Sequence, residues 1–292
     1  MQSFLGRLLT EGMLRAVAWV PYGVVARMGM ALGTLLHRIP SRRRHIVDVN
    51  LALCFPHMTA PQRQRLARAH FQHVMRSYVE RGVQWFGSAR RLEKLVRVES
   101  AINLDAAATE PTIVLGFHFV GIEAGCMRYS IGRPVASLYT PMSNTALDDV
   151  ALRQRGRFGT VMMPRANSAR QTVRVLRSGP PVMLAADMDF GRRDSVFAPF
   201  FGVPACTLTS VARLAQASKA RVVPFVTEVL PDYQGYALKI FEPLAGFPSG
   251  DDVVDATRMN AFLEQQILRM PEQYYWVHRR FKHRPDGQAS VY

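Results

Sequence analysis

A histidine one residue beyond an apolar run and five before a glutamate is the first feature of this chain that could do chemistry. In TIVLGFHFVGIEAGCMRYS the pair is His118 and Glu123. On one helix a five-residue step turns about 140°, and along a strand it changes face, so the two side chains meet only across a strand-to-helix turn. Gly116 and Gly121 loosen the backbone on either side of His118. A carboxylate bonded to one imidazole nitrogen fixes the tautomer and leaves the other nitrogen to take a proton from a hydroxyl, which makes a general-base dyad. The same spacing also describes a hydrogen-bonded structural histidine.

A second cluster lies in LAADMDFGRRDSVFAPFFGVPA, where Asp187 and Asp189 end an apolar run and share a face in extended geometry. Such a D-x-D can hold a metal-bound nucleotide sugar, position basic groups or cap the next element. Arg192 and Arg193 add phosphate-competent charge beside it, or form surface salt bridges. The C-terminal EQYYWVHRRFKHRP interleaves Tyr274, Tyr275, Trp276 and Phe281 with His278, Arg279, Arg280, Lys282 and Arg284. That mixture suits base stacking, a membrane interface with anionic headgroups, or a terminal segment packing its aromatics on the core. Cys54, Cys126 and Cys206 are far apart and form no C-x-x-C, so neither a disulfide framework nor a zinc site is suggested and a reduced compartment fits.

These groups need a scaffold, and the chain after residue 100 offers one. Apolar runs at Thr112–Phe117, Pro134–Tyr139, Pro181–Ala186, Arg221–Thr227 and Tyr236–Phe241 alternate with amphipathic stretches at Ala146–Arg157, Ser168–Arg177, Leu208–Ala217 and Val253–Met270. The alternation predicts an α/β fold with a mixed, largely parallel sheet flanked by helices. In open sheets of this kind sites gather beyond the carboxyl ends of the strands. Residues 61–86 read as a core-packing helix whose His70 and His73 are packing or surface residues. The absence of G-x-G-x-x-G, Walker A, G-x-S-x-G and H-E-x-x-H argues against a dinucleotide enzyme, an ATPase, a serine hydrolase and a zincin.

The N-terminal third is apolar and basic. From Ala16 to Leu36 the chain is apolar except for Arg27, with Pro21 interrupting it. It reads as a bilayer span, an in-plane helix or a buried core helix, and less well as a cleaved signal. Arg38, Arg42, Arg43 and Arg44 follow, and would leave the bulk of the chain cytoplasmic and reinforce docking on an anionic leaflet. We therefore expect an anchoring segment over residues 1–45 and a catalytic domain over 46–292. The formal charge is +15, and 33 of the 37 cations are Arg, which suits phosphate recognition or reflects only a coding bias.

Taken in order, HFVGIE, DMDFG, SVFAPFFGVPA, RVVPFV and EQYYWVHRRFKHRPDG closely resemble the lipid A late acyltransferases, the lauroyl and myristoyl transferases of lipopolysaccharide synthesis. These form a branch of the glycerophosphate and lysophospholipid acyltransferase superfamily, and the likeness runs over nearly the whole chain. Many superfamily members carry Asp at the second position of the His-x4-acid motif, whereas Glu123 agrees with the lipid A branch. The resemblance implies acyl carrier protein as thioester donor and a Kdo-bearing, anionic lipid A precursor as acceptor. The setting it implies is the cytoplasmic face of the inner membrane, with no metal, cofactor or nucleic acid required. His118 would deprotonate the acceptor hydroxyl with Glu123 orienting its ring, without an acyl-enzyme, and Cys126 would be packing. Arg165, in VMMPRANSARQ, is matched to a functional family Arg. Asp187 and Asp189 would support the Arg and His geometry, and Arg192, Arg279 and Arg280 would contact the acceptor's phosphates and carboxylates. Three rival readings stay open: an acyltransferase on another lipid, a non-catalytic polyanion-binding protein, and a metal-dependent glycosyltransferase using the D-x-D.

Overall fold

The computed structural model describes residues 2–104, 110–166 and 168–292. Helices α1 (Gln2–Trp19) and α2 (Tyr22–Arg38) are followed by α3 (Arg42–Cys54), α4 (Ala60–Val79), α5 (Arg81–Phe86) and α6 (Ala89–Leu95). Local chemistry sets these boundaries. Pro21 stands where α1 gives way to α2, since it has no N–H to donate into a continuing helix. Ser41 caps α3 through the Arg44 N–H, and Thr59 with Gln62 forms a reciprocal capping box at the start of α4. The helix expected over 61–86 is thus two, α4 and α5, meeting at Glu80.

The body is an α/β unit, as expected. Its strands are β1 (Val96–Ser100), β2 (Thr112–Gly116), β3 (Ala136–Tyr139), β4 (Val161–Pro164), β5 (Val182–Ala185), β6 (Ser195–Phe200), β7 (Val203–Leu208), β8 (Arg221–Val229) and β9 (Tyr236–Ile240). Helices α7 (Ile122–Ser130), α8 (Thr145–Gly156), α9 (Ala169–Ser178), α10 (Ser210–Ser218) and α11 (Asp252–Arg269) alternate with them. Seven strands pair in the order β1-β9-β8-β2-β5-β3-β4. From β8 to β4 all pairs are parallel, while β9 runs antiparallel to β8 and β1 parallel to β9. The mixed character therefore comes from one reversed edge. Strand β2 is buried along its whole length, as a central parallel strand covered on both faces must be. The hairpin β6-β7, built from SVFAPFFGVPA, lies outside the sheet, packs on α11 and contributes Phe200 to the core.

The anchoring segment does not form as expected. Residues 16–36 are divided between α1 and α2, and among the described residues no helix is long and apolar enough to cross a membrane. Helix α2 lies against α4, and its G-x-x-x-G is the reason: a Cβ on Gly29 would collide with Arg76 backbone, and one on Gly33 with Gln72 backbone. Arg27, the charge that interrupts the apolar run, lies over the Tyr233 ring at 4.6 Å. The C-terminal aromatics pack inward, because Tyr274, Trp276 and Phe281 are fully buried, which overturns the stacking and interface readings for those three side chains. Asn50 on α3 fastens this segment by donating to the Trp276 and His278 carbonyls.

Candidate active site

The sheet register builds the site. Gly116 at the end of β2 stands opposite Ala185 at the end of β5. Neighbouring strands are about 4.8 Å apart, so residues two positions past each end emerge side by side at the carboxyl edge. Those residues are His118 and Asp187. The Asp187 carboxylate accepts the His118 backbone N–H at 2.9 Å through Oδ2 and the ring Nδ1–H at 2.6 Å through Oδ1. An ionised carboxylate can only accept, so the proton sits on Nδ1 and Nε2 carries the lone pair. Burial favours protonation of Asp187, but the His118 ring outweighs it and holds the carboxyl down at about 2. The carboxylate is 1% exposed and the imidazole 25%, so the clamp is dry and the working nitrogen reaches the surface. The C-terminal segment closes the loop: Tyr275 N–H donates to the His118 carbonyl, and Val120 N–H to that of Gln273.

Glu123 does not hold the ring. It opens α7, whose first turn aims the side chain at α5 and α8, and it is buried there. Its carboxylate accepts Trp85 Nε1–H at 2.8 Å, Arg155 Nε–H and Nη2–H at 2.9 and 2.7 Å, and lies 3.0 Å from Arg81 Nη1. Burial alone would raise its pKa, but the guanidinium groups of Arg155 and Arg81 outweigh it and hold the carboxyl far below its usual range. The expected His118–Glu123 dyad is therefore replaced by two separate contacts, a His118–Asp187 hydrogen bond and the ion pairs of Glu123 with Arg155 and Arg81. Trp85, Arg81 and Arg155 carry no motif that marks them in the sequence, since Arg81 and Trp85 on α5 and Arg155 on α8 meet around Glu123 only in the fold.

The second aspartate of the D-x-D repeats the first. Asp189 is fully buried and accepts the His283 backbone N–H at 2.8 Å and its ring Nδ1–H at 2.6 Å, together with Gly191 N–H at 3.0 Å. Each carboxylate is thus taken up by its own histidine.

Among the expected basic contacts, Arg165 follows β4 at the same carboxyl edge and stacks on Phe190 of the DMDF loop at 3.6 Å, without a bond to His118 or Asp187. Arg192 is exposed, donating to Asp286 and to the Arg284 carbonyl at 2.6 Å each. Arg279 lies over the Tyr292 ring. Arg280 is a correction: it is fully buried, and its guanidinium is spent on the Cys206 carbonyl, Thr207 Oγ1 and Asn260 Oδ1, so it is a core residue out of reach of an acceptor. Cys126 is packing, with burial pushing its thiol up to about 12.

A carboxylate-clamped imidazole at the carboxyl edge of a parallel sheet is an arrangement that can serve acid–base chemistry in an enzyme of the α/β class. Residues 2–283 match the model of the bacterial lipid A biosynthesis acyltransferases. The chain is 37% identical to a lipid A biosynthesis lauroyltransferase of Escherichia coli, over 96% of this chain and 92% of the relative. It is 36% identical to a palmitoleoyltransferase of the same organism, over 94% and 90%, and 26% identical to a myristoyltransferase there, over 92% and 83%. The chain belongs to the bacterial lipid A biosynthesis acyltransferase family. It is an acyltransferase of lipid A synthesis, and the family implies a lipid A precursor as acceptor.

Proposed function

We propose that the protein transfers an acyl chain from acyl carrier protein to a hydroxyl of a Kdo-bearing lipid A precursor at the cytoplasmic face of the inner membrane, with His118 as general base. The observation that carries this is the His118–Asp187 clamp, 2.6 Å long, with no hydrogen bond to Nε2 among the described residues. Nε2 takes the acceptor hydroxyl's proton as the oxygen attacks the thioester carbonyl. A C–O bond forms, the C–S bond breaks, and the imidazolium returns its proton to the departing thiolate. Asp187 stabilises the imidazolium and keeps the ring in place. Because the thioester is already activated, no acyl-enzyme is needed. Glu123 is a positioning residue, tying the α7 end of the His118 loop to α5 and α8 through Trp85, Arg81 and Arg155.

The membrane setting is supported by one face of α2. Val24, Met28, Leu32 and Leu35 are exposed at helical spacing, with Ile39 just beyond, and Trp19 at the end of α1 is 89% exposed. Exposed Arg38, Arg42 and Arg43 follow. An apolar stripe next to cations on a helix that does not span is suited to lying in the headgroup plane of an anionic leaflet. The +15 charge also suits steering of an acidic carrier protein.

The test is mass spectrometry of a Kdo-bearing lipid A precursor incubated with acyl carrier protein thioesters and the purified protein. The acceptor gains the mass of one acyl chain with wild type and none with His118→Ala. No gain with a folded wild type and any donor would overturn the assignment.

A further inference from the structure

The two aspartates of the D-x-D make the same clamp, yet the reaction accounts for only one of the two histidines. His283 is held by Asp189 through backbone N–H and ring Nδ1, matching His118 on Asp187 bond for bond. Its ring is 32% exposed, and Nε2 has no hydrogen bond among the described residues. With Nδ1–H given to a fully buried carboxylate, Nε2 is the ring nitrogen left for a ligand, and it can pair with a phosphate by accepting a P–O–H proton or, on the imidazolium, by donating. The shallow, open groove in front of it has a volume of about 410 Å³ and is lined by residues that include Arg192, Lys282, His283, Arg284 and Asp286. Its cations outnumber its single carboxylate before His283 is counted. Arg192 is tied to Asp286 and the Arg284 carbonyl, and Arg284 to the Pro204 carbonyl and Gln288, so the wall is held in place while Lys282 is exposed and unpaired among the described residues.

We propose that His283, oriented by Asp189, is a phosphate-binding residue: with Lys282 and Arg192 it holds a phosphate of a substrate in this groove while His118, held by Asp187 two residues before Asp189, handles the reacting hydroxyl. The proposal rests on the acyl-transfer reading. The phosphate belongs either to the lipid acceptor or to the prosthetic group of the carrier protein. A hydrogen bond to a charged group contributes enough that its loss weakens binding about tenfold or more.

Steady-state kinetics with the full-length protein test this, using the phosphorylated lipid A precursor and its phosphatase-treated form as acceptors. The donors are acyl carrier protein and an acyl thioester of N-acetylcysteamine, which lacks phosphate. His283→Ala is expected to raise KM for the phosphorylated acceptor about tenfold with kcat unchanged, to match wild type acting on the dephosphorylated lipid, and to show no further loss there. If the penalty instead vanishes only with the phosphate-free donor, the groove holds the carrier's phosphate. A KM unchanged for both substrates, or a rise of equal size whether or not phosphate is present, overturns the site. A wild type that acylates nothing overturns the acyl-transfer reading, and the site is then decided by adding inorganic phosphate. A shift of the His283 ring nitrogen resonances, lost in His283→Ala, supports it, and no shift refutes it.

Discussion

His118 and Asp187 are 69 residues apart in sequence and 2.6 Å apart in space, each standing two residues beyond the paired ends of neighbouring parallel strands. The strand register, not proximity along the chain, selects the partner of His118.

Asp187→Asn replaces an acceptor-only group with an amide that can turn either its oxygen or its NH2 toward Nδ1. The ring then loses its fixed tautomer and the stabilisation of its charged form. We expect kcat to fall by about 10²–10⁴ with little change in either KM, as measured by initial rates at saturating donor and acceptor. A fall below threefold would show that the carboxylate is incidental.

Glu123→Gln leaves Arg155 and Arg81 facing a neutral amide in a largely buried site. Removing one member of such a cluster costs about 3 kcal/mol, toward the low end because Arg155 is a quarter exposed. The melting temperature should drop by about 6–12 °C. Calorimetry checks it, and a shift within 2 °C of wild type would contradict the structural role.

Acid should destabilise the fold from below about pH 6.5. Burial lowers His70 to about 3 and His278 to about 4 from an ordinary 6.5. The folded rings therefore bind fewer protons than the unfolded ones. Their contribution is complete above pH 6.5 and is lost as pH falls toward 4, at roughly 2.7 kcal/mol per pH unit for the pair. Asp187, held at about 2 against an ordinary 3.8, adds a further loss between about pH 4 and 2. Urea midpoints at pH 7 and pH 5 should differ accordingly, and His70→Gln should shrink the difference.

Gly29→Val and Gly33→Val should each lower stability by about 1–3 kcal/mol or more by driving α2 off α4. Gly12→Val on α1, where an added Cβ meets nothing within 4 Å, is the control and should change little beyond propensity. Equal effects at all three positions would mean that the α2–α4 contact is not close.

Much of this was legible in the sequence. The five apolar runs after residue 100 all became sheet strands, and the His118 loop and the D-x-D both fall at the carboxyl edge. Other segments escaped the reading: β4 is an edge strand with one buried residue, and the β6-β7 hairpin is interrupted by two prolines that mask its alternation. His118 looked paired with Glu123 because five residues separate them. That proximity misleads because the turn at Gly121 starts a helix whose second residue, Glu123, faces α5 and α8. Arg280 looked like a surface contact because its neighbours are basic, but a segment bonded backbone to backbone onto the His118 loop turns it inward. Asp189 was visible and His283 was not, since nothing in HRRFKHRP distinguishes a clamped histidine from its charged neighbours.

The central claim is that His118 and Asp187 act as one unit. A double-mutant cycle on kcat with His118→Ala, Asp187→Ala and the double variant tests it most directly, with folding of each checked by thermal melting. The account predicts that the double variant is no slower than His118→Ala alone, because the carboxylate acts only through the ring. Multiplicative losses, with Asp187→Ala slowing the His118→Ala enzyme as much as it slows wild type, would contradict it.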